Sequence, residues 1–217
     1  MNVTEDLLKL IPRKSPLMDQ HFNTCAVVGN SGIVLNSNCG QEIDSMDFVI
    51  RCNLPQIEGY EKDVGSKANL TTMNPSVIPQ NFKKWNKTKK DHDRLIRHLR
   101  HVGDQIVYVP AFTSASGEQY VRAFVQIVLQ HKLQLRIRTA FPPAGLNNLM
   151  QSIWTNSGFE ILRPSTGVHM YTLAATICDQ IHMYGFYPFT EDSNGRALRY
   201  HYYDRKKMIS NRTHSDY

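Results

Sequence analysis

Near the end of this 217-residue chain one histidine stands among tyrosines and close to a carboxylate, in Tyr200-His201-Tyr202-Tyr203-Asp204. Such a histidine is either a hydrogen-bonded structural residue or a donor to a leaving phosphate, and residue type alone leaves both open. Two other segments suit anions. Cys25-Ala26-Val27-Val28-Gly29-Asn30-Ser31-Gly32 is an apolar run that ends in a glycine turn before Ile33-Val34-Leu35. A strand, a glycine turn and a helix in that order aim backbone N–H groups beyond the strand's C-terminal end, where phosphates and nucleotides bind. The dinucleotide fingerprint is absent, since the glycines fall at 29 and 32, and so is the P-loop lysine; a tight turn without a ligand fits equally. In Arg163-Pro164-Ser165-Thr166-Gly167-Val168, Ser165 and Thr166 fit the N-cap of a following amphipathic helix, which leaves first-turn amides for an anion. An ordinary capped helix has the same signature.

These segments need a scaffold. Strand-length apolar runs over Thr24–Val28, Phe48–Cys52, Leu70–Met73, Gln105–Val109, Leu133–Thr139 and Gln180–Tyr184 alternate with helix-period segments over Asp91–Val102, Tyr120–His131, Leu146–Trp154 and Thr166–Cys178. The alternation predicts one α/β domain, and the continuity of several runs predicts central, parallel strands. The first twenty residues read as a polar approach segment, and the lysine-rich stretch Gln80–Asp93 as a solvated loop.

The net charge of +6 attracts anions without naming one, and the lysines fall in a predicted loop, which argues against a nucleic-acid site. The start, MNVTEDLLKL, has neither the basic nor the apolar region of a signal peptide. Yet Asn2, Asn69, Asn86 and Asn211 all begin N-glycosylation sequons, which matter only in the secretory pathway. The four cysteines, Cys25, Cys39, Cys52 and Cys178, have no zinc-type spacing, and by themselves they fit buried free thiols.

Taken together, CAVVGNSGIVLNSNCGQEIDSMDFVIRCN with DVGSKANLTTMNPS, RPSTGVHMYTLAATICDQIHMYGF, and YHYYD resemble, in order and spacing, the large, small and third sialyl motifs of the animal sialyltransferases. MNPS, MYTLA and HYYD look like the α2,8 branch, and RPSTG is most similar to its polysialylating members. The resemblance implies a Rossmann-like nucleotide-sugar fold with a mostly parallel central sheet and helices on both faces. It implies transfer of sialic acid from CMP-sialic acid to a terminal sialic acid of a glycoprotein or ganglioside glycan, with inversion and with neither metal nor cofactor. The whole protein would be a Golgi membrane enzyme with a lumenal catalytic domain, here residues 21–217 after a 1–20 stem, and nucleic acid would not be a partner. Asn30, Ser31 and Asn53 would contact the donor, Ser165, Thr166 and Gly167 its carboxylate or phosphate, and Tyr187 its cytidine or sugar. His201 would support the leaving phosphate, and Cys25 would pair with Cys178.

The family's fourth motif is a histidine followed five residues later by glutamate. His214 stands close to that place and is the expected acceptor base, while the chain ends at Tyr217. The resemblance therefore implies a C-terminal end beyond this chain, with the glutamate and a cysteine partner for Cys39. Tyr187 replaces the family's usual tryptophan, which is expected to weaken donor affinity without abolishing it. A catalytically inactive form that binds only donor or glycan is the alternative expectation.

Overall fold

The computed structural model describes residues 3–81, 88–111, 117–159 and 164–208. Among the described residues six strands are formed: β1 (Phe22–Val28), β2 (Phe48–Arg51), β3 (Leu70–Thr72), β4 (Ile106–Tyr108), β5 (Arg138–Ala140) and β6 (Cys178–Tyr184). The helices are α1 (Glu5–Leu8), α2 (Gly40–Ser45), α3 (Glu61–Val64), α4 (Val77–Asn81), α5 (Lys89–Val102), α6 (Glu118–Gln130), α7 (Leu146–Asn156) and α8 (Thr166–Ile177). Every recorded strand pairing is parallel, as the apolar continuity of the strands predicts. No helix of the described residues is long and apolar enough to cross a membrane.

The chain divides into two compact units. One draws on Gln20–Asn69 and on residues from Asn147 onward, and it holds the candidate site. In it β1 lies between β2 and β6, in register Cys25↔Phe48 and Phe22↔Cys178. A strand flanked on both edges hydrogen-bonds its whole backbone to neighbours, so Cys25, Ala26, Val27 and Val28 can be wholly apolar and buried. β6 carries Asp179, Gln180 and Met183 in exposed positions, so one of the predicted strands does have a wet side.

At Asn69 the first sequon within the described residues is spent on structure. Its Oδ1 accepts from Val49 N at 2.8 Å and its own N–H donates to Val49 O at 2.9 Å, while Thr71 is buried. Asn69 therefore extends the bonding edge of β2. The acceptor asparagines of the other three sequons, Asn2, Asn86 and Asn211, lie outside the described residues.

The other unit combines the chain up to Asp19 with Leu70–Leu146. Its strands run β3–β4–β5. α5 buries Leu95, Ile96, Leu99 and Val102, a stripe at helical spacing. Three expectations change here. The predicted strand Leu133–Thr139 shrinks to Arg138–Ala140, because the end of α6 continues into a turn in which Gln134 N and Leu135 N both donate to His131 O, at 2.8 and 2.9 Å; Leu133 is fully exposed. The stretch predicted as a loop from Gln80 contains helix at both ends: α4 runs to Asn81, and Thr88 caps α5 by accepting from Asp91 N, so Lys89 and Lys90 are helical. The polar N-terminal segment contributes one core residue, Leu7, buried where α1 meets α6.

Candidate functional site

Asn30 follows β1 directly, and its two side-chain ends differ in fate. Nδ2 donates to Cys52 O at 2.8 Å, which brings Asn53 beside it in sequence, and this bond fixes which end of the amide is oxygen. Oδ1 is buried and has no partner among the described residues. Leaving a buried acceptor unpaired costs about 1–3 kcal/mol, a deficit that a ligand N–H or O–H would offset. Asn53 itself adopts the left-handed conformation, φ 65°, which asparagine tolerates better than most residues.

The glycine turn departs from expectation. After Ser31 the chain makes only a three-residue 3₁₀ turn, Gly32–Val34, in place of a helix. Leu35 is extended, and Asn36 and Asn38 take φ 64° and 58°, held there by Asp63, which accepts from Asn36 N at 2.8 Å and from Asn38 N at 3.0 Å. The turn's amides are largely consumed inside the protein. Gly29 N donates to Tyr184 O at 2.7 Å, Ser31 N to Gly185 O at 3.0 Å, Gly32 N to Arg199 O at 3.0 Å and Ile33 N to Ser31 Oγ at 3.3 Å. Anion binding by these four amides is therefore not what this turn provides. It provides close backbone packing, with Asn30 Oδ1 left over.

At the second segment Ser165 is the N-cap of α8, its Oγ accepting from Val168 N at 3.3 Å, and Thr166 opens the helix. The N-terminal turn lies at the positive end of the helix dipole. His169, one turn further, is held between Ser165 O at 3.1 Å from Nδ1 and Asn147 Oδ1 at 2.8 Å from Nε2, and burial lowers its pKa. It thereby ties the start of α7 to the start of α8. Sequence reasoning overlooked it because a single histidine on a helix has no pattern.

Phe186 joins the two segments and was also overlooked. A Cβ on Gly167 would collide with its Cε1, and a Cβ on Gly29 would lie 3.0 Å from the same atom and 2.6 Å from Gly185 O. Gly167 is thus held to glycine by this ring, and Gly29 by the Gly185 carbonyl together with the ring. The next residue, Tyr187, is half-buried and meets Phe189 edge-on, with centroids 5.2 Å apart.

The aromatic segment docks on the same turn. Tyr202 N donates to Asn30 O at 2.8 Å, and the wholly buried Tyr202 sends its hydroxyl to Gln56 O at 2.7 Å. His201 is carried to within one residue of that contact, with Nδ1 2.9 Å from Asp204 Oδ2. Burial raises the phenol pKa of Tyr202 and of Tyr203, so both remain neutral donors. Asn30, Ser31, Asn53, Ser165, Thr166, Gly167, Tyr187 and His201 all belong to this unit, whereas His214 lies outside the described residues.

Cys25 and Cys178 form a disulfide, Cα atoms 6.0 Å apart, and Cys39 and Cys52 are free. The disulfide joins β1 to the C-terminal end of α8, about 18 Å along the helix from Thr166 at 1.5 Å per residue, so it anchors the helix at the end remote from Ser165. Burial pushes the Cys52 thiol up to about 12. Iodoacetamide is therefore expected to label half-buried Cys39 on the native chain and to spare Cys52 until unfolding; equal labelling rates, read by peptide mass spectrometry, would contradict this placement.

Parallel strands joined by glycine turns and a capped helix start define an α/β protein of the kind that receives ligands at strand ends. The chain belongs to glycosyltransferase family 29, the sialyltransferases, whose model matches residues 1–216. It is 36% identical over 203 residues to alpha-2,8-sialyltransferase 8F of Mus musculus, a match covering 93% of this chain and 50% of the mouse protein. The chain thus spans about half the length of that curated relative. In fold it is similar to a crystal structure of a mammalian sialyltransferase, with TM-score 0.60 and 24% identity over 93% of this chain and 67% of that one. It is also similar to a mammalian sialyltransferase in complex with Gal-beta-1-3GalNAc-ortho-nitrophenol, with TM-score 0.57 and 23% identity over 93% and 69% of the two chains.

Proposed function

We propose that this chain supplies the donor site of an α2,8-sialyltransferase of the Golgi lumen, which transfers sialic acid from CMP-sialic acid to a sialylated glycoprotein or ganglioside. The observation that carries the reading is the buried Asn30 Oδ1, without a partner among the described residues, on a residue whose Nδ2 donates to Cys52 O and whose backbone carbonyl accepts from Tyr202 N. A nucleotide presents the hydroxyl or amino hydrogens that such an oxygen lacks. Ser31 follows Asn30 in the turn, Asn53 follows the Cys52 carbonyl that Asn30 holds, and Ser165, Thr166 and Gly167 would set the positive end of α8 toward a carboxylate or phosphate. Tyr187 offers an aromatic face.

In the transfer the bond from the anomeric carbon to the phosphate oxygen breaks and CMP leaves with the electron pair. The acceptor hydroxyl attacks the opposite face, inverting the centre, and passes its proton to His214. Charge grows on the departing phosphate, where fixed dipoles and His201 stabilise it without a metal ion.

Calorimetric titration with CMP tests the donor site. Asn30→Ala, Asn53→Ala and Thr166→Ala are each expected to weaken binding about tenfold or more, the loss of a hydrogen bond involving a charged or buried partner. EDTA should change nothing. Unchanged binding in all three variants would overturn the site. Transfer is scored by incubating the full-length secreted protein, with the C-terminal end expected beyond Tyr217, with CMP-sialic acid and a panel of α2,3- and α2,6-sialylated glycoproteins and gangliosides, with α2,8-linked product expected. Donor binding without transfer to any acceptor would leave recognition standing and refute the enzyme.

A further inference from the structure

The proposed reaction gives His201 a role and Asp204 none, yet the two are built as a pair. Asp204 Oδ2 lies 2.9 Å from His201 Nδ1, while Oδ1 accepts from Lys206 N at 3.0 Å and from His201 N at 3.4 Å. Tyr203 stacks on the imidazole with centroids 5.1 Å apart and planes 15° apart, and Tyr200 tilts against it at 4.4 Å. The ring is thus clamped by two aromatic neighbours and one carboxylate. A carboxylate can only accept, so the ring proton sits on Nδ1 and the tautomer is set.

We propose that Asp204 is a positioning residue acting through His201: its carboxylate accepts from Nδ1–H and so aims the opposite ring nitrogen, Nε2, at the phosphate of the nucleotide, to which the doubly protonated ring donates. This rests on the reading of His201 as the phosphate's partner. The expected sign is diagnostic. A carboxylate near a phosphate repels it, so removing Asp204 would by charge alone tighten binding; if Asp204 acts through His201, removing it loosens binding.

A double-mutant cycle on CMP affinity, by calorimetry on the 217-residue chain, separates these. His201→Ala is expected to weaken CMP binding about tenfold or more. Asp204→Asn, which keeps an oxygen for Lys206 N, should weaken it about tenfold, and should have no effect or a tightening effect in the His201→Ala background. Equal losses from Asp204→Asn in both backgrounds would mark a purely structural role and overturn the inference alone, as would unchanged or tighter binding with His201 present. A His201→Ala chain that binds CMP like the parent overturns the reading of His201 and this inference with it. Independently of any ligand, ¹⁵N spectra of the imidazole should show the proton on Nδ1 in the parent chain; a ring protonated at Nε2 alone would also overturn the pairing.

Discussion

Replacing Cys25 and Cys178 together by alanine is expected to lower the unfolding free energy by about 2–5 kcal/mol while leaving the CMP affinity of the folded chain nearly unchanged. The two cysteines are separated by 153 residues, and the chain-entropy argument for a loop of that length gives about 5 kcal/mol at room temperature. A domain whose total stability is about 5–15 kcal/mol would lose much of it. The affinity is spared for a geometric reason. Cys178 closes α8 at the end opposite Ser165, and Cys25 lies four residues before Gly29, so neither sulfur reaches the site. What carries the coupling upward is β6, which runs parallel to β1 from Cys178 to Tyr184 and delivers Gly185 and Phe186 beside Gly29. That strand keeps its register through backbone bonds along β1 whether or not the sulfurs are joined. Urea denaturation of parent and double variant, with calorimetric CMP titration of each under native conditions, checks both halves. A variant with the parent's midpoint and slope would contradict the stabilising role, and a large loss of affinity in the still-folded variant would contradict the separation from the site.

Which parts of this arrangement the residues disclosed follows from how local each feature is. β1 was legible because a strand bonded on both edges needs no polar residue, and Cys25–Val28 has none. The N-cap at Ser165 was legible because a hydroxyl three residues before an amide it can accept from is a short-range pattern. The 3₁₀ turn was not, since Ile33-Val34-Leu35 reads as a helix start until Asp63, distant in sequence, claims the amides of Asn36 and Asn38. Distance in sequence also hid Asn69, whose side chain replaces a strand partner for Val49 and so turns an apparent glycan acceptor into a structural residue. Arg51 was hidden in another way: it sits in an apolar strand yet is buried, with Nε donating to Lys67 O at 2.9 Å. Its burial lowers its pKa, against the opposing influence of Tyr202 and Asp44. Nothing in the run Phe48–Arg51 distinguishes a charge at the strand end that turns inward from one that reaches water.

The glycines at the turn carry the second large effect. Gly32→Ala is expected to destabilise the chain by about 1–3 kcal/mol, the range for overpacking, and to cut transfer about 10²-fold, the scale of an ångström-sized misplacement of reacting groups. A Cβ on Gly32 would lie 2.7 Å from Arg199 O and 2.8 Å from Arg199 N. Both atoms are backbone, so no rotamer change relieves the contact. Gly32 N also donates to Arg199 O, so the segment cannot retreat without breaking that bond. Retreat would carry Tyr202 and His201 away from Asn30, because Tyr202 N reaches Asn30 O only three residues further on. The donor contacts proposed for Asn53 and for the start of α8 are made from other segments, so CMP affinity is expected to fall less than turnover does. Gly103→Ala is the control: its added Cβ meets nothing within 4 Å, and its cost, from φ 64°, is confined to the backbone of the other unit. Thermal melts and CMP titration of the two variants, with initial transfer rates of both in the full-length protein, decide the matter. A Gly32→Ala protein that transfers at the parent's rate, or one whose affinity and turnover fall by the same factor, would show that the aromatic segment is not held to the donor site through this turn.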